Sequence, residues 1–428
     1  VSKQYASNVT TGDMLVAVVS RVSSVGAPST VGQVSDDQGN HWRLAVECSN
    51  SHYGVDMWIC ESCVATGTAP TVTATQVGYP NHTMTGLNIQ IMEYSGCSGY
   101  ELVDQAVQKT ITTTSVTATT TYNLSANHDL AISAVIGNFT AATIPSGWTS
   151  RLADTTQKCY IADQVDTGTS SGSTYSAAWT GLTGGSAGVA VLATFVQTGV
   201  ASTSPHLIQS CWTDIALGGA LTTTKTSQAY PVNPSPGNLL VAGIIGAVFT
   251  GYTSGTFQSF PVYTLTDTAG NVWRWGGESG IDVTSGVDWC LWYCTAKGGA
   301  TTLTATFPQP SEAAEFVLME FGGCPSAPTL DSYGAADEGS TTSASTNAAI
   351  QANDIAVAFR SYILGSGPVA PASGWKMIFS DTSGDGSGMM NLATASGVLT
   401  ATFTEGGGQG AVDILVSALK PSTGIGAH

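Results

Sequence analysis

Residues 1–20, VSKQYASNVTTGDMLVAVVS, and residues 226–245, TSQAYPVNPSPGNLLVAGII, follow the same plan. In each, a polar stretch ends on Gly-Asp or Gly-Asn and gives way to an unbroken apolar run, which reads as a buried strand. They differ in what comes before. The later copy follows another strand-like segment, HLIQSCWTDIALGGALTTT (206–224), whereas the earlier copy opens the sequence. The first half therefore reads as lacking a leading strand that the second half has.

The likeness continues in order along both halves. SDDQGNHWR (35–43) matches TDTAGNVWR (266–274), MWIC (57–60) matches LWYC (291–294), and IMEYSGC (91–97) matches LMEFGGC (318–324). ANHDLAI (126–132) matches ANDIAV (352–357), SGW recurs at 146–148 and 373–375, and each half closes on an apolar strand (187–195 and 411–419). Collinear blocks of this kind mark a tandem repeat of roughly two hundred residues. A fainter repeat inside each half, GDMLVAVV to GNHW and then NHDLAISAV to SGW, suggests two related sheet-forming units packed face to face. The expected organisation is domain 1 over 1–197, a linker at 198–205, domain 2 over 206–420 and a tail at 421–428.

Composition sets the class. Thr, Val and Ile favour pleated, half-buried surfaces, and the strong helix formers are scarce in a chain only 10% charged and 42% hydrophobic. The expected fold is all-β: two tandem homologous antiparallel β-sandwiches of jelly-roll or large immunoglobulin-like type. PSEAAEFVLMEF (310–321) has some helical character, but its mate MTGLNIQIMEY is strand-like, so a strand is expected there too.

Twelve Lys+Arg against 29 Asp+Glu give a formal charge of −17. That argues against nucleic acid and anionic membranes as partners, because little here could neutralise a run of phosphates. The longest apolar run, 239–249, is too short to span a bilayer and reads as a buried strand. No signal peptide is visible, so the numbering is read as starting at a mature terminus. The nine cysteines form no metal-ligand quartet, and disulfides outside the cytosol are expected.

Glu93 and Glu320 in the M-E-[YF] block invite a glycosidase reading, yet neither shows a carboxylate companion at motif spacing. Both halves also keep an Arg after Trp, and buried Arg43–Glu93 and Arg274–Glu320 pairs explain the duplication better. Asp36, Asp37, Asn40 and Asp267, or Asp381 and Asp385 in DTSGDGSG, offer oxygen ligands for Ca²⁺. D-x-x-G-N is equally a strand-joining turn in which Asp caps the backbone and Gly-Asn turn left-handed, and that reading is preferred. No other cofactor is expected. The six histidines are scattered, and no nucleophile elbow or phosphate-cradling loop is present.

Trp42/Trp273, Trp58/Trp292 and Trp148/Trp375 recur and read as core, whereas Trp179, Trp212, Trp275 and Trp289 do not recur and are candidates for stacking on sugars. Asn8, Asn81, Asn123 and Asn138 head N-x-S/T sequons, all in the first half.

The blocks GDMLVAVVS, GN-x-W, MWIC, MEYSG and ANHDLAI…SGW resemble a secreted bacterial cell-surface β-sandwich repeat, found in tandem in extracellular proteins. In that pattern a leading strand precedes the GN-LLV strand, and the resemblance implies a structural role with no enzymatic chemistry. A sandwich short of a strand leaves an unpaired edge that invites association. The omission is either a truncation, a tolerated bare edge, or a groove filled by another chain as in pilins. A head-to-tail filling repeated from chain to chain gives an open filament. Leu207, Ile208, Cys211, Trp212, Ile215 and Leu217 form the candidate donor strand. The leading expectation is an extracellular, surface-located filament subunit whose partner is itself. The alternative is a carbohydrate-binding adhesin module.

Overall fold

The computed structural model describes residues 1–24, 30–77, 84–97, 99–124, 128–165, 171–184, 187–197, 199–200, 204–215, 221–249, 257–259, 262, 264–279, 289–299, 301–311, 313–324, 328–336, 343–362, 369–371, 374–380, 386–392, 396–405 and 412–420. Every regular element among them is a strand. That includes the segment with helical character, which forms Ala313–Gly322, and the long apolar run, which forms Leu239–Phe249.

The strands fall into four successive sets. The first is β1 (Ser2–Gln4), β2 (Met14–Ser23), β3 (Thr30–Asp36), β4 (Arg43–Ser49), β5 (Tyr53–Cys60), β6 (Thr71–Val77) and β7 (Met84–Tyr94). The second is β8 (Val103–Ile111), β9 (Val116–Thr119), β10 (His128–Gly137), β11 (Ala141–Thr143), β12 (Thr149–Asp154), β13 (Cys159–Val165), β14 (Ser176–Thr183) and β15 (Gly188–Val196). The third is β16 (His206–Ile215), β17 (Thr222–Thr226), β18 (Leu239–Phe249), β19 (Phe257–Ser259), β20 (Thr264–Asp267), β21 (Arg274–Glu278), β22 (Trp289–Thr295), β23 (Leu303–Ser311) and β24 (Ala313–Gly322). The fourth is β25 (Thr329–Ala336), β26 (Ser343–Ser345), β27 (Ile355–Tyr362), β28 (Val369–Pro371), β29 (Lys376–Ser380), β30 (Gly386–Leu392), β31 (Thr400–Glu405) and β32 (Val412–Lys420).

Each set makes a larger and a smaller sheet. The second set is ordered β12-β13-β10-β15-β8 and β11-β14-β9, and the fourth β25-β32-β27-β30-β29 and β26-β31-β28. The third is β16-β24-β18-β22-β21 and β17-β23-β20, with the short β19 added beside β18. The first is β4-β5-β2-β7 and β1-β6-β3. Setting β19 aside and counting strands by place within each set, one order serves all four: 1-8-3-6-5 in the larger sheet and 2-7-4 in the smaller. The first set departs only at place 1, which no described strand fills.

The chain forms two compact units, one chiefly Val1–Gln76 with Asn81–Ala201 and the other chiefly Ser202–Gly365 with Pro371–His428. In the first, the larger sheets of two sets face one another: Val16, Val18 and Met57 share a core with Ile132, Val191 and Phe195. The reverse face of the second set's larger sheet carries Ala131, Val135 and Leu192 against Ala118, Ala177 and Trp179 of its smaller sheet. The second unit repeats this plan. Along β18, Leu239, Val241 and Ile245 join a core with Val357, Phe359 and Leu415, while Leu240, Ala242 and Ile244 pack with Leu303, Ala305 and Phe307.

This layering explains the sequence pattern. A strand covered on both faces cannot alternate, so β2 and β18 read as continuous apolar runs. In the smaller sheets, strands with one face in solvent alternate, as β9 and β14 do. In β14, SAAWTGLT, Ala177, Trp179 and Leu182 point inward and the threonines outward. Much of the threonine content covers these outer faces.

Candidate functional site

Strand β7, MTGLNIQIMEY, is eleven residues long with Glu93 as its single charge and no proline. One side pairs with β2 from Met14↔Tyr94 to Ser23↔Met84. No described strand lies on the other side. Its counterparts β15, β24 and β32 each carry one there, respectively β8, β16 and β25. Its ladder is regular from Gly86 to Tyr94, with an irregularity at Thr85, and long edges with little charge and no proline are templates for further pairing.

The three edge strands share a register. Val103, Leu207 and Leu330 sit opposite Phe195, Phe321 and Leu419. One residue is then skipped at a bulge (Asp104, Ile208, Asp331) before Gln105, Gln209 and Ser332 face Thr194, Glu320 and Ala418. The M-E-[YF] block places Tyr94 and Glu93 of β7 where Phe321 and Glu320 stand in β24.

Glu320 is fully buried and works as a clamp. Its Oε1 accepts the Ser235 amide at 2.8 Å and the Asn238 side-chain amide at 2.6 Å. Gln209 of β16 donates to its Oε2 and also brackets the Val232 backbone, donating to its carbonyl at 2.9 Å and accepting from its amide at 3.1 Å. In the first half, Glu93 Oε1 accepts the Thr10 amide at 2.6 Å, and Asp13 takes the place of Asn238. Burial, followed by the hydrogen bond and charge of Glu93, raises the Asp13 carboxyl above its ordinary value. Tyr5 donates to the Met92 carbonyl at 2.9 Å, as Tyr230 does to that of Met319 at 3.2 Å. The clamp is thus duplicated, except that no described residue plays the part of Gln209 at Glu93.

The expected Arg43–Glu93 and Arg274–Glu320 pairs do not form. Both glutamates are engaged by turn amides instead. Arg43 holds Glu61 through two bonds, at 2.5 and 3.1 Å, with Glu101 at 3.8 Å. Arg274 is exposed. A second buried cluster, Arg21 with Glu47 at 2.8 Å and Asp56 at 2.6 Å, had no mark in the repeat comparison.

The candidate donor strand already stands in a sheet of its own chain. Leu207, Ile208, Cys211, Trp212 and Ile215 belong to β16, which is already paired with β24 in its own sheet, and Leu217 lies outside the described residues. Leu207, Cys211 and Trp212 are each no more than 2% exposed, so this strand is a built-in edge and not a loose arm.

The D-x-x-G-N-x-W blocks are turns. Asp36 accepts from the Gln38 and Asn40 amides at 3.0 Å each, the Asn40 side chain at 2.9 Å and the Trp42 indole at 3.0 Å. Asp267 repeats the set with the Asn271 amide at 3.0 Å, the Asn271 side chain at 2.7 Å and the Trp273 indole at 2.8 Å. Only the glycines, Gly39 and Gly270, turn left-handed, at φ 77° and 68°; the asparagines do not. These donors occupy the carboxylates that a Ca²⁺ reading requires, and Asp37 caps the Thr71 amide at 2.9 Å. Asp381 and Asp385 lie outside the described residues.

Trp179 and Trp289 are fully buried and Trp212 nearly so, because they fill the cores and do not line the surface. Trp289 stacks on Phe359 at 4.7 Å. Trp275, 40% exposed and edge-on to Tyr333 at 5.3 Å, is the exception. Among the sequons, Asn8 and Asn123 are exposed, Asn138 is half-buried and accepts from the Ala187 amide at 3.0 Å, and Asn81 lies outside the described residues. The nine cysteines are thiols and not the expected disulfides. Burial pushes Cys48 and Cys159 up to about 12 and Cys63 to about 11, which suppresses their thiolates.

No family model matches this chain, and no curated protein matches it. Among solved structures, a chain of the arabinofuranosyltransferase AftD from Mycobacteria is returned at 8% identity, covering 94% of this chain and 38% of that one. Its TM-score is 0.08.

Proposed function

We propose that this chain is an extracellular structural protein that self-associates through the open edge of β7, each copy receiving an extended strand from a neighbour. The observation that supports this is the outer edge of β7, which pairs with no described strand, whereas β15, β24 and β32 carry β8, β16 and β25 there. On this reading the four sets are jelly rolls in two tandem pairs, and a neighbour's strand pairing along β7 gives the first set the order of the other three. Such a head-to-tail contact propagates into a filament unless it closes on itself. Low charge and threonine-rich outer sheet faces suit a durable extracellular scaffold. A carbohydrate-binding role has less support, since three of the four candidate tryptophans are buried.

The test is competition. A peptide copying residues 206–215, HLIQSCWTDI, presents the register that β24 accepts and should cap β7. Sedimentation velocity should show species larger than the monomer that collapse to monomer in excess peptide. A monomer without peptide that also fails to bind it would overturn the proposal.

A further inference from the structure

The two halves treat one arginine position in opposite ways, and the difference marks a binding site. Arg43 opens β4 opposite Ile59, and Arg274 opens β21 opposite Tyr293. In the first half the guanidinium is 2% exposed and fully neutralised: Glu61 meets it in a two-bond fork and Glu101 approaches to 3.8 Å. Both acids have countable equivalents. Glu61 follows MWIC directly, and Thr295 follows LWYC; Glu101 lies four residues after the Cys of MEYSGC, and Pro328 lies four after the Cys of MEFGGC. The second half thus keeps the arginine and has neither carboxylate.

What stands there instead is a cleft of about 140 Å³ lined by Arg274, Thr295, Lys297, Pro328, Tyr293 and Val272. Thr295 and Pro328, which stand where Glu61 and Glu101 do in the first half, are part of its lining. Lys297 occupies the position of Cys63, so the lining holds two cations and no carboxylate, with the nearby Asp267 carboxylate engaged in its own turn. On a chain of formal charge −17 this is a local reversal of sign. Val272, 70% exposed, and the Tyr293 ring add an apolar rim.

We propose that this cleft binds a carboxylate-bearing small molecule, whose carboxylate takes the place at Arg274 that Glu61 takes at Arg43. Arginine presents parallel N–H groups that match a carboxylate in two bonds, the geometry seen at Arg43. Lys297 adds a point charge, although its ammonium already donates to the Gly270 carbonyl. The apolar rim gives a sugar ring or short aliphatic body a surface to cover. The site lies wholly within the second unit and does not depend on what happens at β7.

The test is calorimetric titration of the whole chain with glucuronate, acetate, glucose and sulfate. Saturable binding of glucuronate and no binding of glucose is the expected result. Equal binding of acetate would assign recognition to the carboxylate alone, and tighter glucuronate would add the rim; either supports the site. Arg274→Gln should weaken binding at least tenfold, and Lys297→Gln severalfold. Thr295→Glu should return the internal carboxylate and abolish binding. If Thr295→Glu does not fold, the exposed Arg274→Gln variant carries the test. Glucuronate and acetate both failing to bind, sulfate outcompeting them, or affinity unchanged in Arg274→Gln would overturn the proposal.

Discussion

Asn238 donates its side-chain amide to Glu320 at 2.6 Å, and in the first half the same exchange is attempted by two acids, Asp13 and Glu93. Asn238 gives the glutamate a donor at any pH. Asp13 can do so only when protonated, which is why its carboxyl is held above the ordinary value, first by burial and then by Glu93. A carboxyl raised in the folded state favours folding at low pH, and the benefit declines as pH rises from its ordinary value through its raised folded one. Asp13→Asn should therefore add about 1 kcal/mol at neutral pH and flatten stability across that window. Urea melts from pH 3 to 8 check both. A variant less stable than the parent at pH 7 would refute the pairing.

The Arg43 cluster should be costly to break and its counterpart free to change. Glu61→Gln leaves a buried guanidinium with one distant acid and should cost about 3–5 kcal/mol. Arg274→Ala, at an exposed position, should stay within about 0.5 kcal/mol of the parent. Equal losses measured by denaturant midpoint would mean that Arg274 has a buried partner.

Gly54 makes room for Arg21. A Cβ at this position would lie 2.7 Å from the Arg21 Cζ, and the guanidinium cannot swing aside while Glu47 and Asp56 hold it. Gly54→Ala should cost about 1–3 kcal/mol by overpacking, read as a lowered melting temperature. An unchanged melt would show that the ion cluster is loose.

Asp36 and Asp267 should behave as turn residues. Asp36→Ala strands several buried donors, the Trp42 indole among them, and should destabilise by about 2–4 kcal/mol. Millimolar Ca²⁺ should leave the parent melting temperature unmoved. A calcium-dependent rise lost in Asp36→Ala would restore the metal reading.

The sequence was most informative where the two halves agree. Collinear blocks marked corresponding strands in the two halves, and the apolar runs of β2 and β18 pointed to strands covered on both faces. Comparing halves also hid things, because it keeps only what both retain. Glu61 is answered by Thr295 and Glu101 by Pro328, so the true partners of Arg43 dropped out and Glu93, which is shared, took their place. Trp179 was legible in another way. It sits in phase with Ala177 on alternating β14, a pattern that places it inside. The role of Gln209 was not legible, because its bond to Glu320 joins strands 111 residues apart in sequence.

The central claim is that β7 takes a strand from another chain, and it is tested most directly by supplying that strand in the same chain. A variant with residues 206–215 fused through a flexible linker ahead of Val1 should fill place 1 of the first set. Negative-stain electron microscopy should then show elongated assemblies for the parent and single particles for the fusion. Single particles for both, or assemblies of equal length for both, would contradict the account.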